Sequence, residues 1–235
     1  MNDTLDYFKK TPEERAAQYY KLSFSMMYFY NEHYLLPLSH DEVVHGKATI
    51  VQKMYGDYED KFRQARAFYL YMYAHPGKKL NFMGNEIGQL REWDEKREQD
   101  WEMLKYPMHD AFHHYMRELN RIYLENNALY DGDYNSQHFR WIYCRQEGNC
   151  VYAFERKGSK QRVMAVFNFS DREEKAFAIP VEDKVKCKLL LHSEWEEWNG
   201  SVKKESVSFK SKKKKGQESL VLDIPAYSAM LFELE

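Results

Sequence analysis

The sequence has 235 residues, enough for one large domain or two small ones and for a core that hides about 70% of the unfolded surface. Its net charge of −2 gives no general attraction to nucleic acid or to anionic lipid, and no apolar run approaches the 18 residues of a membrane span. Cys144, Cys150 and Cys187 are odd in number and form no C-x-x-C, so neither a disulfide framework nor a structural zinc site is implied. With no apolar leader at the N-terminus, cysteine usage points to a cytoplasmic protein. Aromatic residues make up 16% of the chain, led by 19 Tyr. Composition alone favours a Tyr-rich core over a stacking surface for sugars or other planar ligands, and leaves both open.

Met1 to Thr4 run straight into Leu5-Asp6-Tyr7-Phe8. Thr11-Pro12-Glu13-Glu14 is a helix-start signal, with Thr as N-cap, Pro at the first helical position and acids in the first turn. It predicts a helix over about 12–20. Leu22 to Tyr30 is apolar and aromatic, and its class is ambiguous on period. Tyr34 to Leu38 reads as a buried parallel strand ending at Ser39-His40-Asp41. After Gly56-Asp57, the spacing of Phe62, Ala65, Tyr69 and Met72 predicts a helix over about 58–74, terminated by Pro76-Gly77. Lys79 to Met83 reads as a second strand, followed by Gly84-Asn85-Glu86. A polar loop over about 86–107 with Trp93 and Trp101 leads to a helix over about 108–125.

Strand, helix, strand, helix, with polar residues after each strand, is the order of a parallel α/β fold whose site lies at the strand C-termini. Two parallel strands cannot close a barrel, so residues 1–130 read as a piece of a larger α/β domain with exposed edges open to association. From about residue 131 the texture changes. Runs at Phe139–Arg145, Val151–Arg156, Val163–Phe169, Lys175–Ile179, Lys186–Leu191, Ser219–Ile224 and Ala229–Leu234 alternate in polarity. Turns such as Gln146 to Asn149 and Lys157-Gly158-Ser159 separate them. Seven short strands at this spacing predict an antiparallel sandwich over 131–235, packed on the first half because no low-complexity linker intervenes. Lys212, Lys213, Lys214 and Lys215, followed by Gly216, read as a solvated hairpin tip rather than a grip for polyanions.

Two segments carry the candidate chemistry. The run LPLSHDEVVHGK puts His40, Asp41, Glu42, His45 and Lys47 just past an apolar strand. Polar groups converging there form a site or a solvated loop. A zinc site is disfavoured, because His40 and His45 have no clear third ligand. In the second, FMGNEIGQ, Gly84 and Gly88 permit tight turns, and the Trp residues beyond serve packing or binding.

Both segments resemble the α-amylase superfamily of (β/α)8-barrel enzymes. LPLSHDEVVHGK closely resembles the signature of bacterial 1,4-α-glucan branching enzymes at the end of the seventh barrel strand. PGKKLNFMGNEIGQ with the following REW is similar to the eighth strand and its loop, and NDTLDYF to the sequence between strands six and seven. The resemblance implies strands 7 and 8 of the barrel over 1–130 and an all-β C-terminal domain over 131–235. It implies that Asp41 is the third carboxylate, holding sugar hydroxyls and stabilising the transition state, that His40 hydrogen-bonds the same sugar, and that Trp93 lies near a glucan-binding surface. Hydrogen bonds that strengthen in an oxocarbenium-like transition state suit these groups. It implies α-1,4-glucan or glycogen as the partner, transfer of a glucan segment to a 6-hydroxyl, and no metal or organic cofactor.

A retaining mechanism needs a carboxylate nucleophile and a carboxylic acid about 5–5.5 Å apart. In the family these follow strands four and five, and neither signature occurs in residues 1–235. The chain is therefore expected to be inactive alone, as the C-terminal part of a branching enzyme. Two alternatives stay open: a piece of a related hydrolase, and a non-catalytic glucan-binding module.

Overall fold

The computed structural model describes residues 1–144, 148–205, 207–214 and 216–235. The opening residues, for which the sequence suggests no element, form helix α1 (Asn2–Phe8), with Leu5, Tyr7 and Phe8 buried. The Thr11 signal holds in full. Thr11 accepts from Glu14 N–H, Glu14 reaches back to Thr11 N–H, and Pro12 begins α2 (Pro12–Ala17). The helix stops at Ala17, short of the expected 20, and the chain bends at Gln18 so that Leu22 on the single-turn helix α3 (Tyr20–Ser23) enters the core. The ambiguous Leu22–Tyr30 stretch finishes α3 and continues as two short 3₁₀ turns, Phe24–Met27 and Phe29–Asn31.

Strands β1 (Leu35–Leu38) and β2 (Lys78–Asn81) pair in parallel, Leu35 opposite Lys78 and Leu38 opposite Asn81. The helix between them, α4 (Tyr58–Ala74), has the predicted limits; Asp57 caps it by accepting from Asp60 N–H at 3.0 Å. The expectation that the first strand is buried on both faces is not met. Leu36 and Leu38 are buried, but Leu35 is 53% exposed, and Leu80 of β2 and Met83 beyond it are exposed too. Among the described residues, the core covers only one face of this pair. A helix predicted over about 108–125 is α5 (Pro107–Glu125), with Phe112, Tyr115, Met116, Leu119 and Ile122 on its buried face.

Among the described residues the all-β half carries the seven expected strands and two more. β3 (Phe139–Tyr143), β4 (Val151–Lys157), β5 (Arg162–Asn168), β7 (Lys186–His192), β8 (Ser208–Lys210) and β11 (Ser228–Leu234) make a six-stranded sheet in the order β3-β4-β5-β11-β7-β8. β6 (Glu174–Pro180), β10 (Gln217–Ile224) and β9 (Lys212–Lys214) make the second sheet, in the order β6-β10-β9. The named pairings within both sheets are antiparallel. The lysine run is thus an edge strand with Lys212 to Lys214 all exposed, a composition that discourages further pairing. Arg145, Gln146, Glu147 and Lys215, which the sequence places at a strand end and in turns, lie outside the described residues.

Val166, Leu222, Met230 and Phe232 fill the space between the sheets. Phe154, Phe167, Ala229 and Leu231, alternating with them along the strands, pack the other face of the large sheet onto the core that holds α4. A face-to-face alternation of this kind follows from the period of two along a strand. Buried ion pairs fasten the halves. Arg66 on α4 donates to Glu194 at 2.6 Å, both side chains 1% exposed, and Arg63 reaches the same carboxylate at 2.9 Å. Arg156 on β4 donates to the Ala74 carbonyl at 2.9 Å and to Asp133 at 2.8 Å. Replacing Glu194 by Ala strands Arg66 in the interior, and urea unfolding is expected to show a loss of about 3–5 kcal/mol.

Among the described residues His75, His109 and His192 are buried, and burial lowers the pKa of all three. Burial lowers His75 to about 3 and His192 to about 4. The unfolded chain takes up these protons near pH 6.5 while the folded chain does not. Stability is therefore present above about 6.5 and falls as the pH drops toward 4. Asp133 and Glu155, held below the usual carboxylate range against the effect of their burial by neighbouring cations, begin to matter only as the pH falls into that range. Urea midpoints at pH 7.5 and 5 should differ by roughly 2 kcal/mol for each of His75 and His192; equal stabilities would contradict the neutral burial.

Candidate functional site

The site is built on the C-terminal ends of β1 and β2. Pairing continues past β1 as Phe82 N–H donates to the Leu38 carbonyl at 2.9 Å. His40 and Asp41 lie on a 3₁₀ turn, His40–Glu42, immediately after that point. The His40 Nε2 is 3.4 Å from the Asp41 carboxylate, with side chains 51% and 70% exposed. Lys47 Nζ donates to the Asp41 carbonyl at 2.7 Å. His40 stands in an aromatic corner, its ring 5.8 Å from both Phe82 and Trp93, which meet edge-on at 5.3 Å. The structure thus brings His40 and Trp93 together from two loops far apart in sequence, with Asp41 beside His40 on its turn but not in the lining of the cleft between the loops. Glu42, His45 and Lys47 share the first loop, whereas Trp101 is on the separate 3₁₀ turn Trp101–Lys105.

The second loop holds the first in place. Trp93 N–H donates to the Val43 carbonyl at 2.9 Å. Glu92 accepts from Gly46 N–H at 2.9 Å and from Ala48 N–H at 2.7 Å. Those two hydrogen bonds hold the Glu92 carboxyl below the usual range. The clamped segment needs holding, because His45 and Ala48 both adopt positive φ, costly for residues with a Cβ. Below it, the Lys53 ammonium, lowered by burial to about 8, caps the Glu42 and Ala48 carbonyls. Sequence reading did not single out Glu92 or Lys53; their partners are backbone groups, which no side-chain pattern announces. A cleft of about 420 Å³ opens between the two loops, lined by His40, His45, Arg91, Glu92, Trp93 and Arg97.

Gly84 and Gly88 have the left-handed turns their positions suggest, at φ +89° and +64°. A Cβ on Gly84 would lie 2.8 Å from the Gln89 amide oxygen, and one on Gly88 would lie 2.8 Å from the Phe62 ring. Gln89 uses that fold-back to donate to the Arg91 carbonyl at 2.8 Å, while Arg91 itself pairs with Asp100 at 2.7 Å. Among the described residues no cluster of three or more His, Cys, Asp or Glu side chains could hold a metal ion.

A parallel β-α-β unit packed on an antiparallel sandwich also occurs in α-amylases of known structure. Residues 141–235 match the family described as the α-amylase C-terminal all-β domain. Two solved structures share the fold: an α-amylase from H. orenii, with a TM-score of 0.60 at 20% identity over all of this chain and 47% of that one, and an α-amylase from Geobacillus thermoleovorans complexed with acarbose, with a TM-score of 0.59 at 13% identity over 99% of this chain and 46% of that one.

Curated relatives narrow the assignment. The 1,4-α-glucan branching enzyme GlgB of Oceanobacillus iheyensis is 38% identical over the whole chain, which spans 38% of its length. The enzyme of the same name from Bacillus cereus strain G9842 is 40% identical over 86% of the chain and 32% of its own length. The chain is a relative of the bacterial branching enzymes of the α-amylase superfamily and resembles their C-terminal part.

The clamp makes a direct prediction. In Glu92→Ala, amide exchange at Gly46 and Ala48 should accelerate by on the order of tenfold or more. In the unaltered protein the same protection should fade as the pH falls through the lowered Glu92 range and the carboxylate is neutralised. Unchanged exchange in the variant would remove Glu92 from the loop's support.

Proposed function

We propose that the chain serves a 1,4-α-glucan branching enzyme as the part of its active-site wall that grips the sugar at the cleavage point. In this reading residues 1–130 are the part of the (β/α)8 barrel around strands 7 and 8, and residues 131–235 the all-β domain that buttresses it. The observation that carries the reading is the pairing of His40 with Asp41 at 3.4 Å on the strand-end turn, backed by Phe82 and Trp93. Asp41 accepts hydrogen bonds from hydroxyls of the sugar being cleaved, His40 makes a further bond to it, and Trp93 offers an apolar edge to the glucan. Bonds of this kind tighten as the sugar flattens toward the oxocarbenium ion, and so lower the barrier by several kcal/mol.

The nucleophile and the general acid are assigned to no residue of this chain. Elsewhere in the enzyme they cleave an α-1,4 link, hold the glucan as an ester, and pass it to a 6-hydroxyl to make an α-1,6 branch in glycogen synthesis. No cofactor takes part, and the setting is the cytoplasm. The apolar face bearing Leu35 and Leu80 is where the remaining barrel packs, and the chain alone would associate through it.

The test has two arms. Incubated with amylose, the chain alone should form no new α-1,6 linkages by proton NMR. Exchanged for the corresponding segment of the Oceanobacillus iheyensis enzyme, it should support branching. Asp41→Asn in that chimera should lower kcat by about 10²-fold or more with the fold intact. A chimera in which Asp41→Asn keeps full activity would refute the role of Asp41.

A further inference from the structure

Between β1 and α4 the chain runs, over residues 39–57, through the 3₁₀ turn His40–Glu42 and then through irregular turns. Carbonyls in such a stretch need partners other than a helix or sheet ladder. The carbonyls of Ser39 and His40 accept from the backbone N–H groups of Glu42 and Val43, at 3.1 and 2.9 Å. From there on, lysines take over.

Lys47 Nζ donates to the Asp41 carbonyl at 2.7 Å. Lys53 Nζ donates to the Glu42 and Ala48 carbonyls. Lys61, on α4, donates to the Gln52 carbonyl at 2.9 Å and to the Met54 carbonyl. The three act in series. Lys61 ties the chain on either side of Lys53 to the enclosed helix, Lys53 ties the end of the site turn, and Lys47 ties the Asp41 carbonyl itself. Each is a hydrogen bond from an ammonium, roughly twice as strong as one between neutral groups.

The consequence falls on the Asp41 carboxylate. Its side chain is 70% exposed, so its direction comes from the backbone that carries it more than from packing. Two peptide planes flank Asp41. The one before it is held by Val43 N–H on the His40 carbonyl, and the one after it by Lys47 on the Asp41 carbonyl. Because peptide units are planar, holding both planes fixes φ and ψ at Asp41. Lys53 then holds the next plane along and prevents the turn from unwinding from its far end.

We infer that Lys47 and Lys53 are positioning residues of the site, which aim the Asp41 carboxylate by capping the carbonyls of its turn and act through its backbone rather than on the sugar. The inference rests on the role proposed for Asp41. The two lysines differ in weight. Lys53 is 6% exposed, so water replaces its hydrogen bonds poorly, whereas Lys47 is exposed and already competes with water.

The test uses the chimera described above and the intact chain. In the chimera, Lys53→Met should lower kcat by about tenfold and Lys47→Met by about threefold, each with KM within about twofold, because a misaimed group weakens the transition state more than the bound sugar. Lys47→Arg, which keeps a donor, should restore most of the activity that Lys47→Met loses. Asp41→Asn already disables the group being aimed, so adding Lys53→Met to it should cost less than about twofold more. A full additional loss would show that Lys53 acts elsewhere and overturn the inference. In the intact chain, carbon-13 NMR should show the Asp41 carbonyl signal shifted by Lys47→Met, and the Glu42 and Ala48 signals shifted by Lys53→Met, with the sandwich signals in place. Unmoved carbonyl signals in these folded variants would also overturn it. Branching lost in Asp41→Asn but unchanged in both lysine variants sinks this inference alone; branching retained in Asp41→Asn sinks the proposed function and takes the inference with it.

Discussion

A helix with hardly any solvent face is the constraint on which the structure depends. From Ala65 to Ala74, α4 is buried at every position. The sequence shows only an apolar stripe through Phe62, Ala65, Tyr69 and Met72, so an amphipathic helix is the natural expectation. A helix enclosed on all sides must instead satisfy every polar tip it carries, and each tip on α4 does so by fixing a different neighbour. Tyr71 donates to the Leu22 carbonyl at 2.9 Å, Tyr73 to Asn120 at 2.8 Å, and Arg66 to the Ser193 carbonyl at 2.6 Å. Gln64 accepts from Arg15, which also holds the Phe8 and Phe169 carbonyls at 2.7 and 2.8 Å. The abundance of tyrosine follows from this arrangement. Tyr7, Tyr69, Tyr71, Tyr115 and Tyr152 are buried struts with an apolar body and one hydrogen bond at the tip, so the stacking reading of the composition does not apply to them.

The same helix reaches the site. Tyr69 donates to the Asn81 side chain at 3.3 Å, and Asn85 donates to that same oxygen at 3.2 Å. Asn81 ends β2, and Leu38, its register partner, ends β1 one residue before the turn that begins at Ser39. The strand ends, and with them the backbone that aims His40 and Asp41, are referenced to the protein's most enclosed element. Exposed loops have no such reference of their own, which is why the His45 to Ala48 segment relies on Glu92 and Lys53.

What could be read in the sequence follows how local each signal is. The limits of α4, the capping box at Thr11 and the site loop after β1 are written in neighbouring residues, and the structure places them within a residue or two of expectation. The strands of the sandwich were legible by alternation, except β8 and β9, which are three residues each and lysine-bearing, too short and too polar to show a period. Helix α1 was missed because its reason for existing is tertiary: Tyr7 donates to or accepts from Tyr152 at 3.0 Å, 145 positions away. Within the site, His40 and Asp41 stand out as side chains, while Glu92 acts on backbone amides and leaves no mark except its place beside Trp93.

Exposure supplies the last step. Charge stabilisation by a carboxylate is strong where water is excluded and weak where water competes, because the effective dielectric falls several-fold from solvent to interior. Asp41 is 70% exposed in its side chain, and His40 is 51% exposed. In that state their hydrogen bonds to a sugar compete with bulk water and contribute little to a transition state. The surrounding geometry is nevertheless fixed: the turn is anchored to β1, the loop is clamped, and the aromatic corner is formed. If the proposed reading holds, an arrangement ordered in its backbone but wet at its functional atoms is half of a catalytic cleft, and it gains force only when another surface closes over it. On the proposed reading, that surface is the rest of the barrel, packed against the side of β1 and β2 where Leu35 and Leu80 are exposed, and the two carboxylates that complete the chemistry arrive with it.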